Sequence, residues 1–256
     1  MNTYTPAMTW KLVGAAVAAG IAVVLTVLVA AAVLDVPADT FTRDPAALSP
    51  DLPFYGGSVS LLTSVVWGSV ATAAFLAARL APAHLRRPMA LLGVLALLLL
   101  TDDALMVHEL LAPRVGIPEE LVYAVYVALA ATIGWHLRHH ARSGAVRAMT
   151  VAGAALALSI AIDQLVPEAP LVLLAEDGTK LIGALVLLTA PALALVGAAR
   201  ATAEQVPPAE HVPPAEQVPP AEQVPPAVPD RLVEPTDPAP GDPDVDGARL
   251  VTSPAA

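Results

Sequence analysis

Residues 89–111 read MALLGVLALLLLTDDALMVHELL, an apolar run that carries four ionisable side chains towards its end. About 20 mostly apolar residues span the hydrocarbon core of a bilayer, and a charge placed there costs a few kcal/mol or more. Ionisable groups in such a segment therefore face one another, a cavity or a pathway. This stretch predicts a membrane-spanning helix with a polar site near one end.

The composition of the whole chain is that of a membrane protein. Of its 256 residues 56% are hydrophobic and only 14% are charged, whereas about 25% of the residues of a soluble domain are charged. The chain has no cysteine, which excludes disulfides, thiolate metal sites and thiol catalysis. The net charge of −10 comes mainly from residues 201–256, with ten acids and two bases, and nothing indicates nucleic-acid binding.

Six segments have the length and hydropathy of transmembrane helices. They comprise approximately residues 12–34, 59–80, 89–111, 119–137, 146–166 and 178–199. The sequence therefore predicts an all-α fold, a polytopic membrane helix bundle of six transmembrane helices within residues 12–200, after a short cytoplasmic N-terminus of residues 1–11. The first segment is too long for the core of a signal peptide, so we expect it to remain as an anchor.

The arginines predict the orientation of the bundle. Arginine-rich connections follow the second and fourth segments, whereas the opposite connections are mostly acidic. Because basic loops remain in the cytoplasm, we expect both termini on the cytoplasmic side of the plasma membrane, with the lipid bilayer as the main partner. The histidines of the fourth segment's inner end, His136, His139 and His140, are interpreted as part of the basic inner surface.

Residues 201–256 predict a disordered, acidic, proline-rich cytoplasmic tail. The hexapeptide VPPAEQ and close variants recur from residue 206, and 14 of the 26 prolines lie beyond residue 200. Paired prolines block helix and sheet and leave polyproline II and disorder. The tail is interpreted as a spacer, with a docking strip for a cytoplasmic partner as the alternative.

The predicted orientation brings ionisable residues of three segments to one level in the outer half of the membrane. The candidate ion-pathway or proton-pathway residues are Asp102, Asp103, His108, Glu109, Ser159, Asp163, Glu176, Asp177 and Lys180. At 100° per residue in a regular helix, Asp102 and Glu109 share a face, and we expect both to line the interior. Asp103 and His108 then point to either side and reach neighbouring helices.

Charge balance allows three states of this cluster, each of which suggests a function. Six carboxylates against one amine and one imidazole cannot all be charged and dry, so some are protonated, a cation is bound, or water enters. The leading hypothesis is ion or proton handling or ion-coupled transport. In it Asp102, Glu109 and Asp163 titrate or bind the cation, Lys180 is the counter-charge and His108 is a shuttle. Six helices are few for a monomeric carrier, so a homo-oligomer is an added expectation.

Two alternatives stay open, and the sequence does not decide whether the protein is an enzyme. The first is a metal-dependent membrane-embedded hydrolase, since carboxylate-rich sites suit Mg, Ca or Mn. Its candidate ligands for a divalent metal are Asp102, His108, Glu109, Asp163 and Asp177. The second is a structural or partner-recruiting membrane subunit whose helices are held by ion pairs such as Asp103–Lys180.

Three strings carry a resemblance to a known type of protein. Asp102-Asp103-x4-His108-Glu109, Ser159-x3-Asp163 and Glu176-Asp177-Gly178-x-Lys180-x2-Gly183 resemble a pattern of uncharacterised six-helix prokaryotic integral membrane proteins. The resemblance covers about residues 90–185 and implies a fold but no reaction. Membrane hydrolases that include alkaline ceramidases are similar in being small and multi-helix and in containing acids and histidines, but the chain is not assigned to them. They hold zinc with several histidines, including a late pair, and the fifth and sixth segments here contain none.

Overall fold

The structure is a computed structural model that describes residues 6–42, 53–140, 143–167 and 169–205. Within these ranges the fold is all-α, without a strand. The helices are α1 (Pro6–Leu34), α2 (Ser58–Leu80), α3 (Ala83–Leu105), α4 (Ala112–Arg114), α5 (Glu119–Leu137), α6 (Gly144–Leu165) and α7 (Pro170–Gln205). All except α4 are long and apolar enough to cross a membrane. The predicted all-α class and the presence of six helices long and apolar enough to span a membrane are thus confirmed. The predicted tail from residue 201 is helical as far as Gln205, and the chain from residue 206 lies outside the described residues.

The third and sixth segments differ from their predicted bounds. The third was predicted as one helix over residues 89–111, but α3 ends at Leu105 and Met106 adopts a left-handed conformation at φ 50° and ψ 50°. One π-helical turn, Val107–Leu111, follows before α4. The sixth was predicted over residues 178–199, but α7 has 36 residues and is about 54 Å long at 1.5 Å per residue. The charged residues near its start lowered the average hydropathy there, so the first two turns of α7 were not predicted as part of the transmembrane segment.

α7 is the central helix of the bundle. It packs against α1, α2 and α6, and half of its most apolar stretch is buried, against 11% for α5. A side chain at Gly178 would press on Val24 of α1, with its Cβ 2.7 Å from a methyl group. At Gly183 the added Cβ would lie 2.8 Å from Leu156 of α6. Small residues let helices approach closely where lipid supplies no hydrophobic driving force, which accounts for both glycines of the Glu-Asp-Gly-x-Lys-x2-Gly string.

The two ends of the bundle differ in chemistry. We call the end where α2, α5 and α7 begin and α3 and α6 finish the polar end. There Gln164 near the end of α6 contacts Glu119 at the start of α5, with 3.4 Å between the amide nitrogen and a carboxylate oxygen. We call the opposite end, where α3 and α6 begin and α5 finishes, the basic end. Thr9 of α1 packs on Gly144 of α6 there.

Replacing Gly183 tests the close packing of α7 on α6. We expect Gly183→Leu to lower the free energy of unfolding by about 1–3 kcal/mol, because overpacking forces neighbouring atoms apart. Gly153→Leu is the matched control on α6, since a Cβ there meets no atom within 4 Å. Thermal unfolding of both variants in detergent gives the comparison. Equal stability of the two variants would show that α6 and α7 are not closely packed at Gly183.

Candidate functional site

Lys180 lies at the centre of a group of carboxylates. It stands ten residues into α7, about 15 Å from the start of the helix. Its Nζ is 3.3 Å from Asp177 Oδ1, 3.7 Å from Glu176 Oε1 and 3.8 Å from Asp103 Oδ1. Two of these contacts are within α7, and the third joins α7 to α3. We call Asp103, Glu176, Asp177 and Lys180 the lysine cluster; it is partly buried and holds three carboxyl groups around one amine.

Trp67 holds the other oxygen of Asp103. The indole Nε1 of this α2 residue donates to Asp103 Oδ2 at 2.8 Å, and the side chain is only 1% exposed. Asp103 therefore binds α2 with one oxygen and faces α7 with the other. The prediction that Asp103 reaches neighbouring helices is confirmed. Sequence reasoning missed Trp67, although a tryptophan in the interior of an apolar span signals a buried N–H that needs an acceptor.

Asp102 and His108 form a separate pair, because the chain turns back after α3. The left-handed residue Met106 lets the backbone N–H of His108 donate to Asp102 Oδ1 at 2.9 Å, and His108 Nδ1 lies 2.8 Å from the same oxygen. Asp102 is 5% exposed, so its predicted interior position is confirmed. The predicted separation of His108 from Asp102 is wrong, since it assumed an unbroken helix. The side chain of Glu109 lies outside the described residues.

Asp163 lies at the rim, apart from the lysine cluster. Its side chain is exposed and accepts from Gln164 at 2.8 Å and from the Tyr123 hydroxyl at 3.4 Å. The buried hydroxyl of Ser159 donates to the carbonyl of Glu176 at 3.1 Å and so fixes the register of α6 against α7. In that register Asp163 lies opposite residue 172, about 6 Å from the level of Glu176 and about 12 Å from that of Lys180, towards the polar end. Asp163 therefore lies nearer the end of the bundle than the lysine cluster does.

Tyr123 of α5 bridges the two parts of the site. Its ring centroid is 5.2 Å from that of His108, and its hydroxyl reaches Asp163. Tyr126, one turn along α5, is close to the carboxyl group of Asp102. Neither tyrosine is among the site residues that the sequence predicts. Their roles depend on the approach of α5 to the π-helical turn, which no sequence pattern indicates.

The four predicted metal ligands whose side chains the structure describes, Asp102, His108, Asp163 and Asp177, do not converge on one point. Among the described residues, no three His, Asp or Glu side chains are arranged to hold a metal ion. Asp102 pairs with His108, Asp163 lies at the rim, and Asp177 lies beside the Lys180 amine. An ammonium group at 3.3 Å disfavours a divalent cation on the same carboxylate.

Removing the indole donor tests the attachment of Asp103 to α2. We expect Trp67→Phe to lower the free energy of unfolding by about 1–3 kcal/mol, because an oxygen of the partly buried Asp103 loses its hydrogen bond. Trp10→Phe is the control, since Trp10 is 50% exposed and lies outside the site. Thermal unfolding of both variants in the same detergent provides the measurement. A loss of the same size in Trp10→Phe would rule out a specific contribution from Trp67.

Comparisons with known proteins give a family but no activity. Residues 16–195 match the family described as a domain of unknown function, DUF8692. No curated protein and no solved structure matches the chain. The matched region holds more than two thirds of the chain and includes the lysine cluster, the Asp102–His108 pair and Asp163. The protein therefore belongs to the DUF8692 family, whose members share a domain of unknown function.

Proposed function

We propose that this chain is a multi-pass plasma-membrane protein, with both termini in the cytoplasm, that takes up a proton or a small cation at its outward-facing polar end. The observation that carries the proposal is the lysine cluster. Three carboxyl groups from α3 and α7 lie within 3.8 Å of one amine inside an apolar bundle. A structural ion pair needs only one carboxylate, so the other two call for a different account.

Electrostatics make this cluster an acceptor of positive charge. With every group ionised, the three carboxylates and one ammonium would carry a net charge of −2. Like charges a few ångströms apart repel strongly where the effective dielectric constant is low. Binding a proton or a monovalent cation relieves that repulsion without removing Lys180. The cluster therefore has the charge pattern of a site that gains and loses one positive charge.

In this proposal, exchange with the outer rim uses a row of polar groups that begins next to Asp103 in the sequence. It begins at the Asp102–His108 pair, passes the Tyr123 ring and hydroxyl, and reaches the exposed carboxylate of Asp163. Gln164 links Asp163 to the rim of α5. In this proposal Asp103, Glu176 and Asp177 hold the charge, and His108 is the shuttle. Asp163 is the entry group, not a member of the binding site.

Proton flux into liposomes tests the proposal. We expect Asp103→Asn to reduce proton uptake by full-length protein tenfold or more, because it removes a positioned titrating group. The substitution keeps an oxygen that can accept from Trp67. Glu120→Gln is the matched control, since Glu120 is exposed in the first turn of α5. An internal pH-sensitive dye reports uptake after an imposed pH step, and parallel Na⁺ and K⁺ gradients identify the ion.

Unchanged flux of all three ions in a folded Asp103→Asn variant would exclude the lysine cluster from ion handling. Absence of any flux through the unmodified protein, with liposome incorporation verified, would exclude ion passage altogether.

The contacts of Asp103 favour a second candidate function, a helix bundle held by an ion pair. Asp103 joins α3 to Trp67 of α2 and to Lys180 of α7. If this is the whole role, Lys180→Met should destabilise the protein by about 3–5 kcal/mol, because a buried charge loses its partner. Lys180→Met combined with Asp103→Leu should then recover most of the loss. Thermal unfolding of the single and double variants measures this recovery of stability. A double variant no more stable than Lys180→Met would contradict a purely structural pair.

A further inference from the structure

The basic end carries a pair of stacked histidines that the ion-handling proposal leaves unused. His84 at the start of α3 and His140 in the 3₁₀ turn Arg138–His140 have ring centroids 4.6 Å apart and planes 26° apart. α5 ends at Leu137, and the 3₁₀ turn that carries His140 follows it directly. The stack joins the turn between α2 and α3 to the turn after α5.

Each histidine of the stack has an arginine two residues away in sequence, Arg86 and Arg138, and each arginine is held by a backbone carbonyl. Arg86 donates from Nε to the carbonyl of Ala81 at 3.3 Å, which holds it against the turn that carries His84. Arg138 donates from Nη1 to the carbonyl of Trp135 at 2.7 Å. Each of these contacts uses one N–H, whereas a guanidinium has five donors in a planar fork that matches phosphate. Both arginines are exposed, so the remaining donors have solvent access.

The local sequence supplies no acidic partner for these groups. No Asp or Glu occurs between residues 52 and 101 or between residues 121 and 162, the stretches that contain both turns. The basic groups of the two turns therefore have no acidic neighbour within their own stretches of the sequence. Arginine rather than lysine occupies every strongly basic position in these stretches, as suits the recognition of phosphate.

Trp135 indicates where that anion comes from. Its side chain is 65% exposed at the end of a membrane-spanning helix, and the guanidinium carbon of Arg138 lies 3.8 Å from the ring centroid. Tryptophans at such positions sit at the level of the lipid headgroups. The indole therefore holds Arg138 at the depth of the phosphates. Basic pockets between transmembrane helices are known to bind anionic headgroups.

We propose that His84, Arg86, Arg138 and His140 form a binding site for the phosphate of an anionic phospholipid headgroup. The two arginines bind the phosphate oxygens, and the imidazole stack keeps the two turns together as a positioning element. The site lies at the opposite end of the bundle from the lysine cluster and does not depend on ion handling.

Binding of a short-chain lipid to the full-length protein tests this site. Dioctanoyl-phosphatidylglycerol is titrated by calorimetry into protein in neutral detergent, with dioctanoyl-phosphatidylcholine and inorganic phosphate as separate arms. We expect saturable binding of the anionic lipid alone, weakened about fivefold by Arg86→Gln and by Arg138→Gln. That factor corresponds to the contribution of about 1 kcal/mol per basic residue near an anionic surface.

Control variants separate a defined site from a general basic surface. Arg79→Gln removes an exposed arginine from the last turn of α2, outside both turns, and should leave binding within twofold. His140→Ala should weaken binding with both arginines intact, and His140→Phe should restore it by keeping a ring over His84. Unfolding temperatures exclude misfolding as the cause. Equal weakening by Arg79→Gln, equal binding of phosphatidylcholine, saturation by inorganic phosphate alone, or failure of the His140→Phe rescue would each overturn the proposal.

Discussion

The arrangement of the polar end depends on one carboxyl group shared by three helices. Asp103 takes a hydrogen bond from Trp67 and lies within ion-pair distance of Lys180, so α2, α3 and α7 meet at a single side chain. Inside a bilayer, a polar group without a protein partner has no water with which to form a hydrogen bond. Each helix must therefore present its group at the same depth, which restricts both rotation and sliding. The lysine cluster follows, because Glu176 and Asp177 lie one turn before Lys180 on α7.

The close packing of α7 against its neighbours allows the helices to meet at that point. Gly178 and Gly183 flank Lys180 and allow α1 and α6 to approach the α7 backbone. Ser159 then fixes the register by donating to the Glu176 carbonyl. The same helix thus carries close-packing glycines and the charged residues within eight positions, so neither set can shift without the other. This coupling explains why a short string can specify both a packing interface and a polar site.

The transmembrane segments could be predicted because hydropathy is averaged over about 20 residues, so a local irregularity of the helix changes the average little. The all-α class and the six helices follow from such long-range averages, and the pair Asp103–Lys180 was named because the predicted orientation placed both residues at one level. The geometry of His108 could not be predicted, because it depends on one left-handed residue, Met106, in an otherwise helical pattern. The offset between Asp163 and Lys180 along the bundle was missed because the predicted start of the sixth helix was eight residues late. Eight residues correspond to about 12 Å along a helix axis, enough to join or separate two sites.

The break at Met106 also explains how two consecutive aspartates avoid competing for one partner. Adjacent helical residues point about 100° apart, so Asp102 and Asp103 already face different directions. The reversal after α3 gives Asp102 its own donors, the backbone N–H and ring nitrogen of His108. Asp103 is left for Trp67 and Lys180. Had α3 continued as a regular helix, His108 would have pointed away and Asp102 would have lacked these donors in an apolar interior. The irregular turn therefore allows two neighbouring acids to be buried side by side, one for each part of the site.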